Sequence, residues 1–158
     1  MVLSKACNYA VRAVLYLAAR EQDEFVPILE IAEALGISFH FLTKTLQALT
    51  QNNILTSNRG PKGGVALARP AESIALMEVI LAIDGPDLFD RCVLGLDYCG
   101  DDRPCPLHPQ WRVVKQGMRE LLENTSLAVV SQGVGQQGLR LTDSESSPFF
   151  PGKRDKII

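Results

Sequence analysis

Three short amphipathic segments followed by a glycine-rich turn fill the first seventy residues, and their order constrains the fold more than any other feature. Ser4 is a good N-cap for a helix that runs to about Arg20, with apolar residues at steps of three and four. Pro27 and Gly36 bound a second, shorter helix. Ser38 is the expected N-cap of a third helix, whose core face is expected to comprise Phe39, Leu42, Leu46 and Leu49. A helix that follows a tight turn in this way is typical of a helix-turn-helix.

The opposite face of the third helix is polar and carries no acidic residue. It presents His40, Thr43, Lys44 and Gln47. Hydrogen-bonding and cationic groups in this arrangement suit a helix that enters the major groove of DNA. The alternative, from this helix alone, is an ordinary solvated surface.

The stretch after the third helix resembles a β-hairpin with a basic tip. Two strand-like runs, ILTSN and VALARP, flank the turn NRGPKGG, which contains Arg59 and Lys62. A hairpin at this position completes a winged helix-turn-helix, and a basic tip reaches a phosphate or the minor groove. Residues 37–70 hold four basic and no acidic residues, although the whole chain has a net charge of -2. Together these features favour DNA binding over a simple tight turn.

A cysteine-rich loop is predicted between residues 86 and 109. Cys92, Cys99 and Cys105 lie among glycines and prolines, and His108 follows them. An irregular loop allows four such ligands to converge on one point. Zinc held by three sulfurs and one nitrogen is one interpretation, and an iron–sulfur cluster, which tolerates wider spacing, is another. The remaining alternative is that the cysteines are small apolar core residues.

The segment after the loop is expected to pair two subunits. Apolar residues recur at steps of three and four, as in a coiled-coil seam, at Trp111, Val114, Met118 and Leu121. Pairing through this helix would set two DNA-reading helices about 34 Å apart and predicts a palindromic operator. The alternative is that this helix packs on its own domain.

The chain of 158 residues suffices for one core with an appended element. The expected fold is mainly α with a small β-hairpin wing. A winged helix-turn-helix domain spans 1–85, the cluster-binding loop 86–109, the dimerisation helix region 110–131 and a disordered tail 132–158. Since no apolar run is long enough for a signal peptide or a membrane span, we expect a cytoplasmic protein with reduced thiols and no membrane partner.

Several phrases of the sequence resemble the Rrf2 family of winged helix-turn-helix transcription regulators, which includes an iron–sulfur assembly regulator and a nitric-oxide sensor. The phrases are LSKACNYAVRAVLYLA, ISFHFLTKTLQAL, SNRGPKGGVAL and AESIALMEVILAIDG, with the three cysteines and the histidine after them. The resemblance implies a homodimer that holds a 2Fe-2S cluster, with 4Fe-4S as the alternative, on Cys92, Cys99, Cys105 and His108. It also implies that double-stranded DNA is contacted by Ser38, His40, Thr43, Lys44, Arg59 and Lys62.

The resulting hypothesis is a repressor whose operator binding responds to iron–sulfur status, redox state or nitric oxide. A zinc-dependent or thiol-oxidation-dependent repressor is an alternative, as is a small iron–sulfur electron-transfer protein. An enzyme is not expected, because the sequence has neither a glycine-rich phosphate loop after a strand nor a paired-histidine motif.

Overall fold

The computed structural model describes residues 3–20, 24–61, 63–136 and 139–143. The helices are α1 (Lys5–Ala18), α2 (Ile28–Leu35), α3 (Phe39–Gln51), α4 (Leu76–Asp84), α5 (His108–Glu123) and α6 (Leu127–Gln136). Strands β1 (Leu55–Asn58) and β2 (Gly64–Leu67) form an antiparallel hairpin, and short 3-10 turns span Ala71–Ser73 and Pro86–Phe89. None of the described helices is long and apolar enough to cross a membrane.

The ends of the first three helices follow from local chemistry. The Ser4 hydroxyl accepts a hydrogen bond from the Cys7 backbone N–H at 3.0 Å, which confirms the predicted cap of α1. Gly36 adopts φ +64° at the end of α2, a left-handed conformation that suits glycine. Ser38 precedes α3, but its side chain makes no capping hydrogen bond. The helix-turn-helix is therefore closed by the Gly36 turn rather than by a serine cap.

The main core lies where α1 meets α2, α3, α4 and α6. Its largest fully buried side chains include Tyr16, Ile31, Leu35, Leu42, Leu46, Leu49, Ile54 and Leu127. Three of the four predicted core positions of α3 are buried, but Phe39 is 41% exposed. The prediction for Phe39 was wrong because the first turn of α3 extends beyond the core. Thr45 is buried instead.

The hairpin forms as predicted and is held against the rest of the domain. Its register pairs Leu55 with Leu67 and Asn58 with Gly64. Val26 adds an isolated bridge to Val65. A Cβ at Gly64 would lie 2.2 Å from the Val26 carbonyl oxygen, so this close approach requires glycine.

A second, smaller cluster joins the helical domain to α5. Cys7 of α1 and Met77 and Ile80 of α4 pack with Leu88 and Phe89, which lie on the turn that leads into the cysteine segment. From α5, the partly buried side chains that pack on this cluster are Met118 and Leu122. The start of the cysteine segment is thus tied to the helical domain by apolar contacts.

The C-terminal part differs from the expected boundaries. The region predicted as one dimerisation helix contains two helices. α5 ends at Glu123, and α6 begins at Leu127, whose side chain is fully buried. Residues 132–136 continue α6, and Leu141 and Thr142 are buried, so the predicted disordered tail is wrong over these residues. They are ordered because Val134 and Leu141 pack on the core and Arg12 donates hydrogen bonds to the Leu141 and Leu35 carbonyls. Residues 137–138 and 144–158 of the predicted tail lie outside the described residues.

Candidate functional site

The polar face of α3 is exposed along its length. Ser38, His40, Lys44 and Gln47 are exposed, and Thr43 is half-buried. The Thr43 hydroxyl donates to the Phe39 carbonyl at 2.8 Å, within the same helix. Since Leu42, Leu46 and Leu49 face the core, α3 is fixed on the domain with its hydrogen-bonding side chains outward.

The hairpin projects beside this face with an exposed turn. Arg59 follows β1 directly and is exposed. Lys62, the other predicted basic residue of the wing, lies outside the described residues. The exposed surface defined by α3 and Arg59 is called the α3 face below.

The structure brings the three predicted thiols and the histidine together at the start of α5. The Cys92 and Cys105 sulfurs lie 3.8 Å apart, and the Cys99 sulfur lies 3.5 Å from His108 Nδ1. Cys92 and His108 are buried, while Cys99 and Cys105 are half-buried. These four residues are called the cysteine–histidine site.

The distances within the two pairs can be compared with metal geometry. Tetrahedral ligands about 2.3 Å (sulfur) or 2.0 Å (nitrogen) from a metal ion lie about 3.8 Å apart for two sulfurs and about 3.5 Å apart for a sulfur and a nitrogen. Both observed separations are close to these values. Within the part of the chain that the structure describes, no three His, Cys, Asp or Glu side chains are placed to hold a metal ion together. Cys92 with Cys105, and Cys99 with His108, therefore form two separate pairs.

Cys92 and Cys7 have opposite electrostatic environments. The pKa of Cys92 is lowered, chiefly because the backbone N–H of Leu94 points at its sulfur, with further contributions from Leu96 and the neighbouring thiols. Burial, followed by the negative charge of Asp84, raises the pKa of Cys7 to about 12. Because only a thiolate binds metal or attacks as a nucleophile, Cys7 is inert and Cys92 is predisposed to ligation.

Three charged residues around the cysteine–histidine site were not predicted. Asp101 accepts a hydrogen bond from His108 Nε2 at 3.0 Å, and Arg112 lies 3.5 Å from the same carboxylate. Lys115 donates to the Cys99 sulfur at 3.3 Å. Arg112 and Lys115 come from the first turns of α5, so a signal for them existed in the helical spacing from His108, but nothing in the sequence distinguishes Asp101 from its neighbours.

The outer face of α5 is apolar and exposed. Val113 is 70% exposed, and Val114 and Leu121 are also exposed. Of the predicted seam residues, Met118 instead packs inward on the second cluster, and Trp111 donates from Nε1 to the Arg91 carbonyl. A side chain at Gly117 would meet open space on this face. This exposed surface of Val113, Val114, Gly117 and Leu121 is called the α5 face.

Known proteins resemble the chain over most of its length. The model of the Rrf2 family, described as iron-dependent transcriptional regulators, matches residues 3–133. The HTH-type transcriptional regulator IscR of Yersinia pseudotuberculosis is 36% identical over 128 residues, which cover 81% of this chain and 77% of that protein.

Solved structures share the fold. CymR of B. subtilis, described as its global cysteine regulator, superposes with a TM-score of 0.70 at 22% identity and covers 82% of this chain and 95% of that one. IscR of T. potens superposes with a TM-score of 0.64 at 26% identity, covering 81% and 84%. Staphylococcus aureus CymR in an oxidised form superposes with a TM-score of 0.66 at 25% identity, covering 84% and 97%. From the family match, the IscR relative and the winged-helix architecture, the chain belongs to the Rrf2 family of DNA-binding transcription regulators.

Proposed function

We propose that this regulator is a homodimeric repressor whose operator binding is controlled by an iron–sulfur cluster on Cys92, Cys99, Cys105 and His108. The observation that carries the proposal is the convergence of these four side chains as two pairs with the separations of tetrahedral ligands. Since a 2Fe-2S cluster has two irons with two protein ligands each, the donor set fits this type better than 4Fe-4S. Similarity to IscR supports the same interpretation.

DNA would be read by the α3 face. His40, Thr43, Lys44 and Gln47 are placed to reach base edges and phosphates in the major groove, with Ser38 at the start of the helix. Arg59 and Lys62 of the wing would contact the adjacent backbone or minor groove. The body as described has the geometry of a winged helix, and the family is one of transcription regulators.

Dimerisation would use the α5 face. Glycine in the middle of an exposed helix costs about 1 kcal/mol relative to alanine, and no neighbour within the described chain requires it at position 117. A second helix crossing closely at Gly117 would explain both this glycine and the exposed valines beside it. Two-fold pairing would present two α3 helices to a palindromic operator, with half-sites about 34 Å apart.

Control by the cluster would act through the segment that joins the turn Pro86–Phe89 to α5. A bound cluster would supply a one-electron redox centre that is also open to attack by nitric oxide. The four ligand side chains would then fix residues 92–108. They would thereby also fix the position of α5 relative to Leu88 and Phe89 of the second apolar cluster. If α5 sets the spacing of the two α3 helices, ligation shifts operator affinity by a coupling free energy of typically ~1–3 kcal/mol.

The test starts from protein purified without oxygen. We expect iron and acid-labile sulfide in equal amounts, about two of each per chain, and a gel-shift affinity for operator fragments that changes five-fold or more when the cluster is removed. Replacing Cys92, Cys99 and Cys105 together by alanine should abolish both iron content and this change. Cys7→Ala is the matched control and should retain both the iron content and the change in affinity, because Cys7 belongs to the second apolar cluster and not to the cysteine–histidine site. Protein that contains neither iron nor sulfide would contradict the proposal. An operator affinity that is the same with and without the cluster would contradict it as well.

A thiol-oxidation switch is the second candidate. The Cys92 and Cys105 sulfurs are only 3.8 Å apart, which is within reach of a disulfide after a small movement, and CymR has been crystallised in an oxidised form. In that case peroxide would alter operator binding of iron-free protein, and Cys105→Ala alone would abolish the response. Cluster control predicts that iron-free protein has no such response.

A further inference from the structure

We infer that Asp101 is a positioning residue that fixes the imidazole of His108 so that it ligates through Nδ1 rather than Nε2. The inference rests on the proposed function for the identity of the bound group, but the orientation of the ring is a property of the chain itself. It concerns a carboxylate that no sequence pattern singled out.

The geometry of His108 assigns different roles to its two ring nitrogens. Nε2 lies 3.0 Å from the Asp101 carboxylate, while Nδ1 lies 3.5 Å from the Cys99 sulfur. A carboxylate oxygen accepts hydrogen bonds, so Nε2 carries the proton and Nδ1 keeps its lone pair on the side of the thiols. The residue is 5% exposed, and the opposite tautomer would point the Nδ1 proton at the sulfur and the Nε2 lone pair at the carboxylate. The Asp101 contact therefore selects the nitrogen that faces the site.

Asp101 is itself held by an element that the site already uses. Arg112, one turn beyond His108 on α5, lies 3.5 Å from the same carboxylate oxygen. His108 and Arg112 therefore lie on the first turns of α5, and Asp101, which contacts both, lies in the loop before it. Carboxylate partners of this kind fix the tautomer and raise the basicity of metal-bound histidine.

The adjacent residue provides a matched control. Asp102 is also an exposed aspartate of the loop, but its carboxylate accepts a hydrogen bond from the Tyr98 hydroxyl instead of from His108. Asp102→Asn removes the same charge at almost the same place. Asp101→Ala removes the hydrogen bond to Nε2, whereas Asp101→Asn keeps an oxygen that can accept it.

The first measurement uses iron-free protein and is independent of the cluster. The chain has two histidines, so nitrogen-15 NMR correlations of the imidazoles are assignable with a His40→Gln variant. We expect His108 to be the Nε2–H tautomer at pH 8.5 in the wild type, in Asp101→Asn and in Asp102→Asn, and a mixture of tautomers in Asp101→Ala. A wild-type Nδ1–H tautomer, or a wild-type spectrum for Asp101→Ala, overturns the inference.

The second measurement uses reconstituted, reduced protein labelled with nitrogen-15 at one ring nitrogen of histidine. Pulsed electron paramagnetic resonance should show the strong nitrogen coupling at the δ1 label in the wild type, in Asp101→Asn and in Asp102→Asn. Asp101→Ala should broaden or split this coupling and release iron to a chelator about ten-fold faster, at the lower end of the effect usual for carboxylate partners of metal-bound histidine, because Asp101 is exposed. A strong coupling at the ε2 label overturns the inference. Failure of every variant to hold iron would instead contradict the proposed function, and the tautomer in iron-free protein would still decide the role of Asp101.

Discussion

The helical body and the cysteine segment of residues 90–107 are held in place by different interactions. In the body, α1, α2, α3 and α4 bury aliphatic side chains against one another. In the segment there is no helix or strand, and most of the large apolar side chains are exposed, namely Val93, Leu94, Leu96, Tyr98 and Leu107. The body therefore gains its shape mainly from the hydrophobic effect, whereas the segment depends on polar contacts among a few residues.

This difference suits a sensor. A body whose geometry does not depend on a ligand presents the α3 face in the same way at all times. Under the proposed function, a segment tied down by Cys92, Cys99, Cys105 and His108 would gain or lose order with the group that these side chains bind. Because the segment leads directly into α5, a change in its conformation can move the α5 face while the core of the body stays unchanged.

The largest expected effect tests the independence of the body. Leu46→Ala, at a fully buried position of α3, should lower the free energy of unfolding by about 2–5 kcal/mol through lost burial and a residual cavity. Urea denaturation of the iron-free protein measures it. Leu29→Ala on α2 removes the same atoms from an exposed position and should cost less than about 1 kcal/mol. If the triple alanine variant of the cysteine–histidine site destabilised iron-free protein as much as Leu46→Ala does, the two regions would not be separate.

The next effect concerns α5, where the two regions meet. Gly117→Leu should favour the helix but obstruct a closely crossing partner helix, so the dimer dissociation constant should rise about ten-fold or more by sedimentation equilibrium. Glu123→Leu adds a similar side chain on a different face of α5 and should leave dimerisation unchanged. A Gly117→Leu dimer of unchanged affinity would mean that α5 does not pair the subunits.

The body could be predicted from the sequence because burial there is periodic. The helical spacing of Leu42, Leu46 and Leu49 predicts which face of α3 is buried. The glycine at position 36 predicts where α2 ends. Where tertiary contacts decide, the prediction was wrong. Ser73 is a residue type that favours an N-cap, but α4 begins only at Leu76, after a 3-10 turn and a bridge between Ala75 and Ser126. The buried Leu141 is a single apolar residue among polar ones, so it has no period to reveal it.

The cysteine–histidine site could be predicted only as a set of residue types. Three thiols and an imidazole in a loop rich in glycine and proline indicate ligation without indicating which groups pair. Asp97, Asp101 and Asp102 are equivalent in the sequence, and the loop backbone alone brings Asp101 to His108. Whether Cys7 belongs to the site also depends on the fold, since it lies beyond α4, buried next to Met77 and Phe89.

Cys7 provides a test of the same contrast through pH. Burial raises the pKa of its thiol from 9.0 to about 12, so the unfolded chain releases this proton at a lower pH than the folded chain. The folded protein should therefore lose stability above pH 9, by up to about 1.4 kcal/mol per pH unit. Cys7→Ala should remove this component of the slope between pH 9 and 10.5 in urea denaturation, whereas Cys105→Ala should keep it. Equal slopes in Cys7→Ala and the wild type would contradict the assignment of Cys7 to the inert body.

The smallest expected effect distinguishes the charges of the two regions. If Arg59 contacts one phosphate from the wing, Arg59→Ala should weaken binding to all DNA sequences alike and reduce the slope of log affinity against log salt by about 0.9. Arg103→Ala removes one exposed positive charge from the cysteine segment, where its guanidinium lies over the Tyr98 ring, and should leave the slope unchanged. Both are measured by fluorescence anisotropy between 50 and 200 mM salt with operator and unrelated fragments. An equal loss of slope in both variants would mean that DNA responds to the total charge of the protein, and a loss confined to Arg103→Ala would place the cysteine segment rather than the wing against the phosphates.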